Sequence, residues 1–161
     1  MILFGKTLSQ YLNFQKVILL LILAVGLGRL ILSLAGVSNS ATKWLSISVV
    51  ALIGLIYYAI RVHTTGFGSY KQLLPLIFIQ SVVAQAIVIA GIVIAILTHK
   101  DNVFSAPEFS GGTDGKTWIH VAAHLVGGLI IAPLVGWLIG CVLLFIVKKV
   151  TPQGMAKRTS A

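Results

Sequence analysis

Acidic residues are nearly missing from this chain: there are three in 161 residues, Asp101, Glu108 and Asp114, all within one stretch. Carboxylate chemistry is confined to that stretch. Charged residues of both signs make up only 9% of the sequence, too few for the polar surface a soluble domain of this size needs. The single cysteine, Cys141, excludes an intrachain disulfide. The net charge of +9 comes from scattered lysines and arginines, with no arginine cluster and no basic patch interleaved with aromatics. They read as orientation signals and contacts to anionic lipid, which argues against nucleic acid as a partner. No internal repeat is visible, so an inverted-repeat transporter has no support. No apolar run carries the row of polar residues that would line a pore. A nucleophile paired with a base is missing as well.

What is abundant is hydrocarbon. Hydrophobic residues are 58% of the chain, and they gather in four runs, 17–37, 44–60, 73–98 and 118–147. Each is close to or above the ~20 residues that cross a ~30 Å hydrocarbon core. Membrane strands would be short and alternating, which these runs are not. The expected fold is all-α: one membrane domain over 1–161, built as a four-transmembrane-helix bundle. With four spans, both termini share a side with Lys6, Lys16, Arg61, Lys71, Lys148, Lys149, Lys157 and Arg158. The other side carries only Lys43, Lys100 and Lys116. That bias puts both termini in the cytoplasm and the loop 99–117 outside, in a membrane of the bacterial inner (plasma) type. The run from Val17 is too long, and begins too far into the chain, for a cleaved signal peptide. Trp44 and Trp118 mark the outer interface, and Tyr57, Tyr58 and Tyr70 the inner one. Residues 1–15 read as a short interfacial helix or a disordered terminus, and 151–161 as a basic cytoplasmic tail.

Three of the four histidines, His99, His120 and His124, bracket the acidic stretch. His120 and His124 form an H-x-x-x-H pair on one helix face, a spacing that lets two imidazoles hold one metal ion. Val121 stands where an H-E-x-x-H metalloprotease has its glutamate, so that chemistry is excluded. Counting ~20 residues back from Lys148 brings the fourth helix to the hydrocarbon edge near Gly128, with His124 and His120 roughly 6 and 12 Å further out. Further ligands for a Zn or Cu ion are Asp114, Glu108, Asp101 or His99. The alternative cofactor is a b-type haem clamped between His99 and His120 or His124, with Gly91 and Ala95 making room. The bland reading is a pair of interfacial histidines without a cofactor, with Asp114 as a helix cap. The loop holds Pro107, Gly111, Gly112 and Gly115 as turn formers, and Phe104 and Phe109 as residues able to fold it back as a lid.

Arg29 is the one charge inside a span, roughly 12 Å below its outer end. It is expected to pair with Glu108 or Asp101, or else to snorkel outward. Gln80 and Gln85 in the third span want polar partners. Gly128, Ala132, Gly136 and Gly140 form a small-residue stripe; Gly136 and Gly140 are expected to pack closely, either inside the bundle or in an oligomer. Pro133 is expected to bend the helix. The functional expectation is a small non-enzymatic membrane subunit or interaction module, as a homo-oligomer or with other membrane subunits, whose outer His and acid cluster binds a transition metal. The alternative is a metal- or haem-dependent redox or hydrolytic membrane protein.

Overall fold

The computed structural model describes residues 1–112 and 114–151, without the Phe109 side chain. The basic tail with Lys157 and Arg158, and the lid expected of Phe109, lie outside that set.

The structure is all-helical apart from a two-residue ladder at the start. Four helical rods are long and apolar enough to cross a membrane: Leu8–Leu34 (α1), Ile47–Thr64 (α2), Tyr70–Thr98 (α3) and the compound rod Trp118–Val150. Local chemistry sets their starts. Thr7 caps α1 through a capping box with Gln10, whose amide oxygen accepts from the Thr7 N–H at 2.7 Å. Ser46 caps α2 by accepting from the Val49 N–H, and the Ser69 N–H donates to Gln72 Oε1 at 2.8 Å where α3 begins.

Residues 1–15 differ from the interfacial helix expected of them. Ile2–Leu3 (β1) pairs with Lys6–Thr7 (β2) around a two-residue turn, in which Phe4 and Gly5 have φ of 48° and 81°. Positive φ at both central residues is the turn that matches strand twist. α1 then begins at Leu8 and runs through Lys16 without a break, because the Thr7 cap, and not the lysine, fixes the start.

α3 is the centre of the bundle. It packs against α1, α2 and the fourth rod, while α2 also packs on α1 and on the fourth rod. Ile22, Val62, Leu73, Leu76 and Leu144 are fully buried among these helices. The outward surfaces carry leucine and isoleucine, with Leu20, Ile31 and Leu138 each at least 60% exposed. An aqueous surface would not be built this way. Tyr58 does not face outward as an aromatic belt would have it: it is fully buried and donates to Gln15 Oε1 at 3.0 Å.

The fourth rod is compound. A short helix, Trp118–Ala123 (α4), gives way to a wide turn over His124–Ile131, and Ala132–Val150 (α5) follows. In the wide turn the Ala132 N–H reaches back five residues to the Gly127 carbonyl. The expected distortion at Pro133 is thus a widening just before it, where the proline withholds an N–H from the ladder.

Candidate functional site

α3 ends at His99 in a left-handed conformation, φ 55°, which turns the chain back over the bundle. The loop that follows is built into the fold. Asn102 is buried; its Nδ2 donates to the Gly91 carbonyl at 2.6 Å and its Oδ1 accepts from the Phe104 N–H at 2.9 Å. The Val103 N–H donates to Ser33 Oγ on α1 at 2.8 Å. The Phe104 ring seats over Gly91, where a Cβ would lie 2.5 Å from it. Gly115 is buried against the Ser105 backbone, and any side chain there would strike the Ser105 carbonyl. Thr117 caps α4 by accepting from the His120 N–H at 3.2 Å.

This construction aims His120 and His124 at each other. Their Nε2 atoms are 3.2 Å apart and their ring centroids 4.9 Å apart, and both residues are half-buried. His120 Nδ1 lies 2.9 Å from the Gly115 carbonyl and His124 Nδ1 lies 2.8 Å from Gln85 Oε1 on α3. The Gly115 carbonyl accepts, so His120 Nδ1 carries its hydrogen and the Nε2 of the neutral ring is a lone pair. The His124 tautomer follows the Gln85 amide: with the amide oxygen toward Nδ1 the two Nε2 lone pairs face one another and favour a cation between them, and with the amide nitrogen there the His124 Nε2–H donates to His120 Nε2. Gln85 reaches His124 because Gly128, in the wide turn, leaves space: a Cβ on Gly128 would overlap the Gln85 amide.

The other expected ligands do not converge on the pair. Among the described residues, no cluster of three or more His, Cys, Asp or Glu side chains is placed to hold a metal ion. Asp101 and Asp114 clasp the Lys116 ammonium at 2.7 and 3.0 Å. The Lys116 backbone N–H, and then its ammonium, hold the Asp114 carboxyl below its ordinary value; Asp101, and then Asp114, raise the lysine. Asp114 also accepts that backbone N–H at 2.9 Å and so orders the turn before Thr117. Glu108 is exposed and accepts from Asn39 Nδ2 at 3.3 Å. Of the carboxylates expected to meet Arg29, Asp101 contacts Lys116 and Glu108 contacts Asn39; Arg29 itself is half-buried. His99 is exposed at its helix end, and the notch expected to receive a haem is filled by Phe104 and Asn102 over Gly91. Gly136 and Gly140 face inward: added Cβ atoms would lie 3.3 Å from Ile77 and 3.0 Å from Leu55.

Gln85, Gly115 and Gly128 hold the site yet do not stand out as site residues in the sequence. Gln85 does show as a polar group inside an apolar span, which is the one available signal. The fourth histidine, His63, is at the opposite end of the bundle, where its Nε2 donates to the Thr151 carbonyl at 2.7 Å. Comparison with protein-family profiles, curated proteins and solved structures returned no match to this chain.

Proposed function

We propose that this protein is an integral membrane module with both termini in the cytoplasm and the loop 99–117 outside, in an inner (plasma) membrane. Its outer end holds one divalent transition metal ion, zinc or copper, between His120 and His124. The module is read as non-enzymatic, the ion serving structure and docking. It docks with another copy or with another membrane subunit.

The carrying observation is the pair of facing Nε2 atoms, with His120 Nδ1 on the Gly115 carbonyl and His124 Nδ1 on the Gln85 amide. Two imidazoles on one tetrahedral zinc, with bonds of ~2.0–2.1 Å, place their nitrogens about 3.3–3.4 Å apart, close to the 3.2 Å found. Metal-binding histidines characteristically donate their other N–H to a carbonyl or carboxylate, which fixes tautomer and ring angle. Gly115 and Gln85 would take that role. A bound ion would neutralise the converging lone pairs and present its remaining positions to water or to a side chain of the docking partner. Asp114 and Glu108, held by Lys116 and Asn39, are not carried into this site. The haem alternative is not taken up, since Phe104 fills its notch.

Two measurements test the reading. Protein purified without chelators should carry about one metal ion per chain, lost in a His120→Ala/His124→Ala variant that keeps its helix content, alanine being a good helix former. Binding should weaken below about pH 6, because protonated imidazole cannot ligate. A metal-free protein that also fails to bind added zinc would overturn the site. For orientation, Glu108→Cys should label from outside intact cells; labelling only after permeabilisation would reverse the topology.

A further inference from the structure

A groove with a volume of about 670 Å³ runs along the outward face of α3. Its walls are α3, from Leu74 to Val83, and the wide turn with the start of α5, from Leu129 to Leu134. The Met1–Phe4 arm and Leu8 close its lower end. That arm is strapped down. Gln72 Nε2 donates to the Phe4 carbonyl at 2.8 Å, Tyr11 Oη donates to the Leu3 carbonyl at 3.0 Å, and the Leu8 N–H donates to the Met1 carbonyl at 3.2 Å. The side chains lining the groove are all apolar, so it has nothing to offer a polar ligand.

From the groove geometry and the charge at its mouth, we infer that it binds one acyl chain of an anionic phospholipid, from the leaflet at the end of the bundle that holds Met1 and Thr151. Length separates this occupant from a neighbouring helix. The nine steps from Leu74 to Val83 rise about 14 Å, roughly half of a ~30 Å hydrocarbon core. A spanning helix from another chain would need a track across the full core, whereas a lipid tail needs one leaflet. Charge selects the headgroup. Lys71 is exposed and stands on the same face of α3 as the groove, one turn below Pro75. Lys6 on the hairpin and Lys148, whose Nζ donates to Ser69 Oγ at 3.0 Å, belong to the same end of the bundle. All three acidic residues lie in the loop at the opposite end. Among the described residues, the charged side chains at this end are positive.

The inference does not depend on a metal at His120 and His124, and metal content measured on the same samples separates the two. The test is native mass spectrometry of the full chain released from nanodiscs of equal phosphatidylglycerol and phosphatidylcholine. The expected result is one retained phospholipid per chain, with phosphatidylglycerol preferred about fivefold, the attraction of one lysine near an anionic surface. Val82→Trp projects an indole into the groove from a residue already 40% exposed; it should release the lipid without disturbing the core. Lys71→Gln should keep a lipid but lose the headgroup preference. Equal lipid retention by the parent and Val82→Trp would overturn the groove. Equal retention of the two lipids by the parent, or an unchanged preference in Lys71→Gln, would overturn the headgroup assignment. A dimer that Val82→Trp splits would show a second copy in the groove instead.

Discussion

Gly128→Ala isolates the outer support of the histidine pair from the pair itself. The new methyl group would occupy the place of the Gln85 amide, and Gln85, half-buried and flexible, can yield by swinging away. His124 Nδ1 then loses its partner and the ring its fixed angle. Removing a metal ligand's outer partner typically costs 10- to 100-fold in affinity, about 1.4–2.7 kcal/mol. Stability should move far less. Losing one neutral hydrogen bond costs about 0.5–1.5 kcal/mol, and replacing glycine by alanine in a helix returns roughly 1 kcal/mol. The two nearly cancel, so the melting temperature should stay within ~4 °C of the parent. The assay is zinc competition against a chromophoric chelator in detergent, with thermal melts on the same samples. Gln85→Ala should give the same loss of affinity, and the double variant should lose no more than either single change. Parental affinity in Gly128→Ala, or losses that add in the double variant, would refute the role given to Gln85.

Gly115→Ala should weaken zinc binding by a similar factor, because its methyl group would strike the Ser105 backbone and push residue 115, with the carbonyl that holds His120, out of place; unchanged binding in the same competition assay would count against that carbonyl. Asn102→Ala removes the clasp on the Gly91 carbonyl and should destabilise by about 1–3 kcal/mol, read as a lower melting temperature and faster proteolysis within the loop. Gly140→Leu should lower the melting temperature by forcing α5 away from Leu55 and Ile77, with overpacking of about 1–3 kcal/mol; unaltered assembly size would place the stripe inside the bundle, and loss of an oligomer would place it at an interface. Acid should loosen the turn before α4: the Asp114 carboxyl is held below its ordinary value, so its contribution is complete above the unfolded aspartate pKa of ~3.9 and fades as pH falls through the lower folded value. Amide exchange at Lys116 should speed up only in that window.

The four rods are legible because long apolar runs admit few structures in hydrocarbon. Their ends are less so. The first apolar run begins at Val17, whereas the capping box at Thr7 starts its helix nine residues earlier, at Leu8, and a cap is a hydrogen bond that composition does not record. Tyr58 shows the same limit: a tyrosine near a span end fits an aromatic belt, and only its contact with Gln15 on another helix makes it a core residue. At the site, spacing alone brought His120 and His124 together, because four residues make one helical turn. Asp114 and Glu108 shared a loop with them, but where a loop carboxylate points depends on its nearest cation or amide, here Lys116 and Asn39. Gln85 lies thirty-nine residues before His124 in the chain, and no local pattern encodes that distance.

The wide turn at His124–Ile131 makes the rotational phase of the outer helix separable from that of the inner one. Each residue advances an α-helix by about 100°; where the bonds reach back five residues the advance is smaller, so the wide turn accommodates about one extra residue at nearly the same phase. Removing one residue between Leu125 and Ile131, and letting the rod straighten, would therefore leave Trp118–His124 near its present orientation. Straightening the rod at its present length would instead turn that segment by roughly 100° and swing His124 off Gln85 while α5 stayed packed on Leu55 and Ile77. Hydropathy would register neither change. The paired imidazoles therefore depend on how a neighbouring segment is wound, and a search for similar sites should compare the phase of the last helix before its ligands.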